Sequence, residues 1–261
     1  MALGRHYALR LLYARSFLAE FWFGVIAFLR WSPQLGRNLF VLFPGLSRGT
    51  ARTASRLSRA AAADIPGFCI NLEARQDRRR LVSKSLTSVG LTRVARFEAL
   101  PNALGILGCT KSHIAVLEQA KSAGNSLTLV CEDDVEFVRS QGELEAIVSE
   151  FEQHPGLDVL CLAYRLRAPR LPISQALAVA NNIQTASCYM VKFEALDVIL
   201  KSLKESEQML EAGVSPRTAA NDIHWKKYQT QGLFFAIPRR RVARQRPSFS
   251  DIAQRFKNYK A

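Results

Sequence analysis

The chain has no pair of cysteines at CxxC spacing, no repeat of fixed period and no apolar run long enough to span a bilayer. The first absence removes a structural zinc ribbon, which needs paired thiolates. The second removes solenoids and propellers. Its longest candidate run, Phe17 to Leu29 (FLAEFWFGVIAFL), spans about 20 Å as a helix and already contains Glu20, against a hydrocarbon core of about 30 Å. Disulfides are not indicated either. The five cysteines, Cys69, Cys109, Cys131, Cys161 and Cys188, are odd in number and sit mostly in apolar stretches, as reduced thiols of a cytosolic protein do. With 48% hydrophobic and 22% charged residues in 261, a disordered or collagen-like chain is excluded as well.

Acidic charge is scarce, and its scarcity is uneven. The net charge is +14. Residues 1–62 contain nine arginines, no lysine and one acid, Glu20, a net of +8. Residues 63–261 carry 27 basic and 21 acidic residues, a net of +6. The chain is therefore expected to divide into a basic, partly apolar extension over 1–62 and an enzyme-sized domain over 63–261. In the extension, Phe17–Leu29 is flanked by Arg15 and by Arg30-Trp31, which suits an interfacial segment resting on anionic headgroups. An ordinary core helix is the plain alternative. No small-residue cleavage site follows that would mark a signal peptide. Residues 47–62 have Leu57 as their one large apolar side chain and read as a flexible basic linker.

From residue 64 onwards, strands alternate with helices. Gly67–Leu72, Leu127–Cys131, Asp158–Ala163, Thr185–Val191 and Leu233–Ile237 read as strands, the last stopped by Pro238. Residues 75–89, 108–122, 194–205 and 219–229 read as helices. That alternation predicts an α/β fold, a mostly parallel sheet flanked by helices.

The chemistry concentrates in Glu132-Asp133-Asp134, directly after an apolar strand. Ligands of open α/β sheets bind outside the carboxyl ends of strands. Continued strand alternation would put Glu132 and Asp134 on one side and Asp133 on the other. Carboxylates clustered this way repel one another unless a cation compensates them, and Mg²⁺ or Mn²⁺ takes such oxygen ligands together with substrate phosphates. A solvated acidic turn is the bland reading. Asn71, at another strand end, precedes Asp77-Arg78-Arg79. Gly108-Cys109-Thr110-Lys111-Ser112-His113 opens a helix whose free N–H groups, with Ser112 and His113, could meet a phosphate or a sugar hydroxyl. Singly these are an Asn turn, a solvated arginine face and a capping serine beside a core histidine.

In this order, Ile70-Asn71-Leu72, Asp77-Arg78-Arg79, Gly108-Cys109-x-x-Ser112-His113 and Glu132-Asp133-Asp134 resemble glycosyltransferase family 25, the lipopolysaccharide-biosynthesis and collagen-galactosyltransferase-like group. Ala186, Tyr189, Asp222 and the stretch Gln245–Ile252 also look like that family's later features. The resemblance covers about residues 66–252. It departs at Glu73-Ala74, where the family's pair usually ends in arginine, and in the short stretch between Phe97 and Gly108.

The resemblance implies a GT-A-like fold that transfers a hexose with inversion from a nucleotide-sugar, a UDP-sugar, to a surface-glycan acceptor such as lipopolysaccharide core or O-chain. In that reading Glu132 and Asp134 hold Mn²⁺ or Mg²⁺. Asn71 and Asp133 meet ribose or base, Arg78 meets the diphosphate, and Ser112 and His113 also bind substrate. Asp222 is the base that takes the acceptor proton. The enzyme would be cytoplasmic, peripheral at the inner face of a bacterial inner membrane through 1–62, with a glycolipid or polysaccharide acceptor.

Two other functions compete. The run Arg239-Arg240-Arg241-x-x-Arg244-x-Arg246 offers charge for nucleic acid, but no aromatics are interleaved with it. A Mg²⁺-dependent phosphotransferase using Asp133 or Asp134 as nucleophile would want D-x-D-x-[TV] spacing, which Glu132–Phe137 lacks. Cys109 and His113, four apart, could share a metal, but two ligands do not close a tetrahedral site.

Overall fold

The computed structural model describes residues 61–166, 168–252 and 254–258. The interfacial segment at 17–29 and nearly all of the 47–62 linker lie outside the described residues.

Chain order runs β1 (Gly67–Asn71), α1 (Gln76–Ser88), β2 (Val94–Glu98), α2 (Gly105–Ser122), β3 (Leu127–Glu132) and β4 (Val135–Phe137). Next come α3 (Gln141–Gln153), β5 (Val159–Leu166), β6 (Arg170–Pro172), β7 (Leu177–Ala180), β8 (Ile183–Lys192) and α4 (Leu196–Glu211). Three single-turn helices follow, α5 (Pro216–Ala219), α6 (Asn221–His224) and α7 (Lys226–Gln229). The last elements are β9 (Phe235–Pro238), β10 (Ala243–Gln245), β11 (Ser248–Ser250) and β12 (Arg255–Lys257).

Among the described residues one sheet of eight strands dominates, in the order β2-β1-β3-β8-β5-β9-β7-β6. β2, β1 and β3 are parallel neighbours, and β5 is parallel to β9. β8 is antiparallel to both β3 and β5, and β7 to both β9 and β6. Strand direction follows: six strands run one way, and only β8 and β7 run against them. The fold is thus α/β, with a mostly parallel sheet flanked by helices, as the alternation predicts.

The centre of the sheet is the most apolar part. In β3, Leu127 to Cys131 are all buried, as expected of a strand covered on both faces. β1 lies so close to β3 that a Cβ at Gly67 would stand 2.7 Å from the Leu129 carbonyl oxygen. Beside them Tyr189, Trp225 and Phe235 pack edge to face, Tyr189–Trp225 at 5.7 Å and Trp225–Phe235 at 5.1 Å between centroids.

Several elements differ from the pattern-based reading. Residues 219–229 break into short turns because Ala220 is extended (ψ 143°) between α5 and α6. α3 escapes the apolar count but carries a full capping box, Ser140 with Glu143. Pro238 closes β9 as its last residue. α2 opens at Gly105, a turn earlier than Gly108. Among the described residues no helix is long and apolar enough to cross a membrane.

Candidate functional site

β1 and β3 end side by side, with Ile70 paired to Glu132. The chain then turns through Asp133 and Asp134 into β4. Strand alternation therefore stops at Glu132, and the expected split of the triplet onto two sides does not occur. All three carboxylates line one open cleft, together with Arg78, Cys109 and Gln245. Leu100–Asn102 and Ser250–Ile252 form its walls.

Each carboxylate has its own partners. Asp133 accepts from Asn71 Nδ2 at 2.8 Å and pairs with Arg78 Nη1 at 2.8 Å. Asn71 is itself fixed, accepting from Arg96 Nε at 3.0 Å. Arg78 Nη2 donates to Ser248 Oγ at 2.9 Å and to the Phe249 carbonyl, while its Nε is buried without a partner. Asp134 Oδ2 accepts from Gln245 Nε2 at 2.9 Å, and its backbone carbonyl accepts from Arg246 N–H at 2.7 Å. Asp134 Oδ1 is buried and has no partner. Glu132 Oε1 lies 3.4 Å from His113 Nε2 and 3.6 Å from Cys109 Sγ. Both contacts fall on Oε1, so Oε2 takes part in neither.

The electrostatics follow from this crowding. Burial, then repulsion from Glu132, pushes the Asp134 carboxyl up to about 7. Burial also raises Asp133, with Arg78 and Asn71 opposing it. Burial would raise Glu132 too, but the hydrogen bond and charge of His113 outweigh it and leave that carboxyl below its ordinary range.

The segment Gly108–His113 acquires a physical account here. A Cβ at Gly108 would stand 2.5 Å from the Leu100 carbonyl oxygen, so only glycine lets the 100–102 wall lie against α2. Ser112 Oγ donates to Gly108 O at 2.8 Å and accepts from Leu100 N–H at 2.9 Å, pinning the same wall. His113 holds Glu132, and its Nδ1 meets Tyr189 OH at 3.1 Å. Because α2 begins at Gly105, the N–H groups from Cys109 to His113 lie inside the helix rather than free at its start. Ser112 and His113 are fully buried and line no part of the cleft, and Asn71 is also buried behind it.

Asp222, in α6, is half-buried and not on the cleft lining. Its Oδ2 accepts from Thr185 N–H at 3.1 Å. Thr185 has φ +90°, in the left-handed region that a β-branched residue avoids, beside register shifts between β8 and β5. Burial, and then Glu132 beyond the opposing Thr185 N–H, raises the Asp222 carboxyl.

Two relationships escaped the sequence reading, which named Gln245 and Arg246 without placing them beside the acidic triplet. Gln245 and Arg246 reach back to Asp134 across more than a hundred residues, through the β4–β10 pair. Glu132 supplies the third group beside Cys109 and His113, and all three ligand atoms lie within 4.8 Å of one another. The helical spacing of Cys109 and His113 signalled two of these; the strand end supplying the third needed the fold. The arginine run proves to be a seam. Arg239 donates to Ser174 O at 3.0 Å, Arg241 to Tyr164 O at 3.1 Å, and Arg244 pairs with Glu136 at 2.7 Å.

No family model and no curated protein matches the chain. Solved structures give distant likenesses. A glycosyltransferase involved in glycosylation of the major capsid of PBCV-1 is 12% identical, over 66% of this chain and 91% of that one, with a TM-score of 0.37. Mannose-1-phosphate geranyltransferase from Thermus thermophilus is 11% identical over 69% and 58%, with a TM-score of 0.36. A197 from STIV is 11% identical over 75% and 99%, with a TM-score of 0.39. At these scores none of the three assigns a family or an activity to this chain.

Proposed function

We propose that the protein is a metal-assisted glycosyltransferase that moves a hexose from a nucleotide-sugar, a UDP-sugar, to a surface-glycan acceptor such as lipopolysaccharide core or O-chain. The observation that carries this reading is Asp134 Oδ1, a buried carboxylate oxygen without a partner in a cleft at a strand end. A hard divalent cation, Mn²⁺ or Mg²⁺, fits it: the donors are oxygens, and the burial and then the repulsion from Glu132 that lift Asp134 to about 7 are both offset by a bound cation. Asp134 and Glu132 would hold the ion. Bound there with the donor's phosphates, it would neutralise charge on the departing nucleotide.

The chain's own residues have the remaining roles. The buried Arg78 Nε, without a partner, is suited to a phosphate oxygen, while its two other nitrogens keep Asp133 and the 248–250 strand in place. Asp133 offers an acceptor for a sugar or ribose hydroxyl at the cleft surface. Asn71, Ser112 and His113 position the cleft from behind it. Asp222, raised by burial, is the candidate base for the acceptor hydroxyl, which inversion requires opposite the leaving group. The motif order described above supports the substrate class, and residues 1–62 suit a peripheral site on an anionic membrane.

The test is a donor screen by thermal shift with UDP-, GDP- and CMP-sugars, with and without Mn²⁺, followed by transfer assays. Metal-dependent stabilisation by one nucleotide-sugar class is expected, and Asp134→Ala should abolish transfer while the protein stays folded. Near-normal turnover in that variant rejects the metal assignment.

A further inference from the structure

We propose that Cys109, His113 and Glu132 form a zinc site with one coordination position open to the cleft. The site shares Glu132 with the transferase reading but does not depend on it.

The distances carry the inference. A tetrahedral zinc with bonds of about 2.3 Å to sulfur and about 2.1 Å to nitrogen and oxygen sets its S···O and N···O edges at about 3.6 and 3.4 Å. Cys109 Sγ and Glu132 Oε1 are 3.6 Å apart, and His113 Nε2 and Glu132 Oε1 are 3.4 Å apart. All three ligand atoms lie within 4.8 Å of one another.

The supports around the ligands are those a metal site uses. Cys109 and His113 stand four residues apart, on one face of α2. His113 is fully buried, and its ring is held by Tyr189, with the hydroxyl 3.1 Å from Nδ1 and the two rings stacked at 5.8 Å. With zinc bound, an Nδ1–H donated to that hydroxyl oxygen would leave the Nε2 lone pair for the metal, in place of the hydrogen bond that Nε2 gives Glu132 in its absence. Asn221 Nδ2 lies 3.9 Å from Cys109 Sγ as a donor to the sulfur.

Ligand chemistry separates this site from the one at Asp134. Thiolate and imidazole favour zinc over Mg²⁺ or Mn²⁺, which take oxygens. Three protein ligands with a position left for solvent or substrate is the open form of zinc site, not the closed structural one. The opening is on the right side, since Cys109 and Glu132 both line the cleft while His113 does not. Burial raises the Cys109 thiol well above its ordinary value, so without metal it keeps its proton. Binding exchanges the S–H bond for an S–Zn bond and releases that proton to solvent.

The experiment uses Co²⁺ as the spectroscopic stand-in, added to full-length protein freed of metal by EDTA and dialysis. One equivalent should bring up a thiolate-to-cobalt charge-transfer band and tetrahedral d–d bands, and one equivalent of Zn²⁺ should remove both. Cys109→Ser should lose the charge-transfer band. Absence of that band in the wild-type protein at several-fold excess Co²⁺, or its full retention in Cys109→Ser, overturns the site. A second measurement needs no variant. Cys109 is the half-buried cysteine and the other four are buried, so prolonged exposure to a maleimide at pH 9 should modify native protein at Cys109, slowly because its thiol is largely protonated. Stoichiometric Zn²⁺ should slow that modification at least tenfold, as followed by mass spectrometry. An unchanged rate overturns the proposal.

Discussion

Arg78 and Asp133 form a nearly buried ion pair, Nη1 to Oδ1 at 2.8 Å, with side chains 12% and 8% exposed. The same guanidinium reaches Ser248 and the Phe249 carbonyl, so one side chain ties α1, the carboxylate turn and β11 together. Arg78→Ala leaves Asp133 a buried carboxylate with Asn71 as its remaining donor. We expect a loss of about 3 kcal/mol, measured by urea unfolding. Arg78→Lys should fall between, because an ammonium keeps the charge but not the fork. Equal stability of Arg78→Ala and wild type would contradict the pairing.

Asp134 gives the pH dependence a sign. Its carboxyl sits near 7 in the folded protein against 3.8 in a free side chain, so the folded state binds the extra proton between those values. This stabilisation is complete below about pH 4 and lost as pH rises through about 7. In EDTA the contribution of Asp134 should lower Tm from pH 5 to 8. Asp134→Asn should flatten that decline, and Mn²⁺ should restore the wild-type Tm at pH 8. A decline of the same steepness in Asp134→Asn would rule out this origin.

Gly108→Ala tests the wall of the cleft. The new methyl would meet the Leu100 carbonyl oxygen at 2.5 Å and the Asn102 Cβ at 3.1 Å. Overpacking of this kind costs about 1–3 kcal/mol. Because the displaced backbone is a cleft wall, nucleotide-sugar affinity should weaken more than Tm alone suggests, as read by isothermal calorimetry. Unchanged affinity in a destabilised variant would separate the wall from the donor site.

Asp222 has a structural duty that must be separated from a chemical one. Asp222→Asn keeps an oxygen for the Thr185 N–H but removes the proton acceptor. Its unfolding free energy should stay within about 1 kcal/mol of wild type while kcat falls by about 10²–10⁴. Thr185→Gly relieves φ +90° and should be neutral or stabilising, by up to about 1 kcal/mol. Wild-type kcat in Asp222→Asn would leave Asp222 only as a partner of Thr185.

Much of this architecture is legible in the chain because burial leaves a local trace. Leu127–Cys131 reads as a central strand since every residue is apolar or small, and it is one. Glu132–Asp134 stand out because charge follows an apolar run without a break. What stays hidden is tertiary. Arg78 looks like a solvated helix face until β11 is seen beside it, and His113 looks like a phosphate contact until α2 is found to begin at Gly105. β6, β10, β11 and β12 are three residues each, too short for any periodicity to show. Gln245 stands in the sequence only as the start of the stretch that resembles the family's later features; the β4–β10 pairing is what brings it to Asp134.

The walls of the cleft come from positions as distant in the chain as Ile70 and Ile252. Bringing ends that far apart together costs chain entropy that only the assembled fold offsets. Without Gln245 and Arg246, Asp134 would lose the partners of its Oδ2 and of its backbone carbonyl, so the cleft is a property of the whole described domain and not of the strand end that carries its carboxylates.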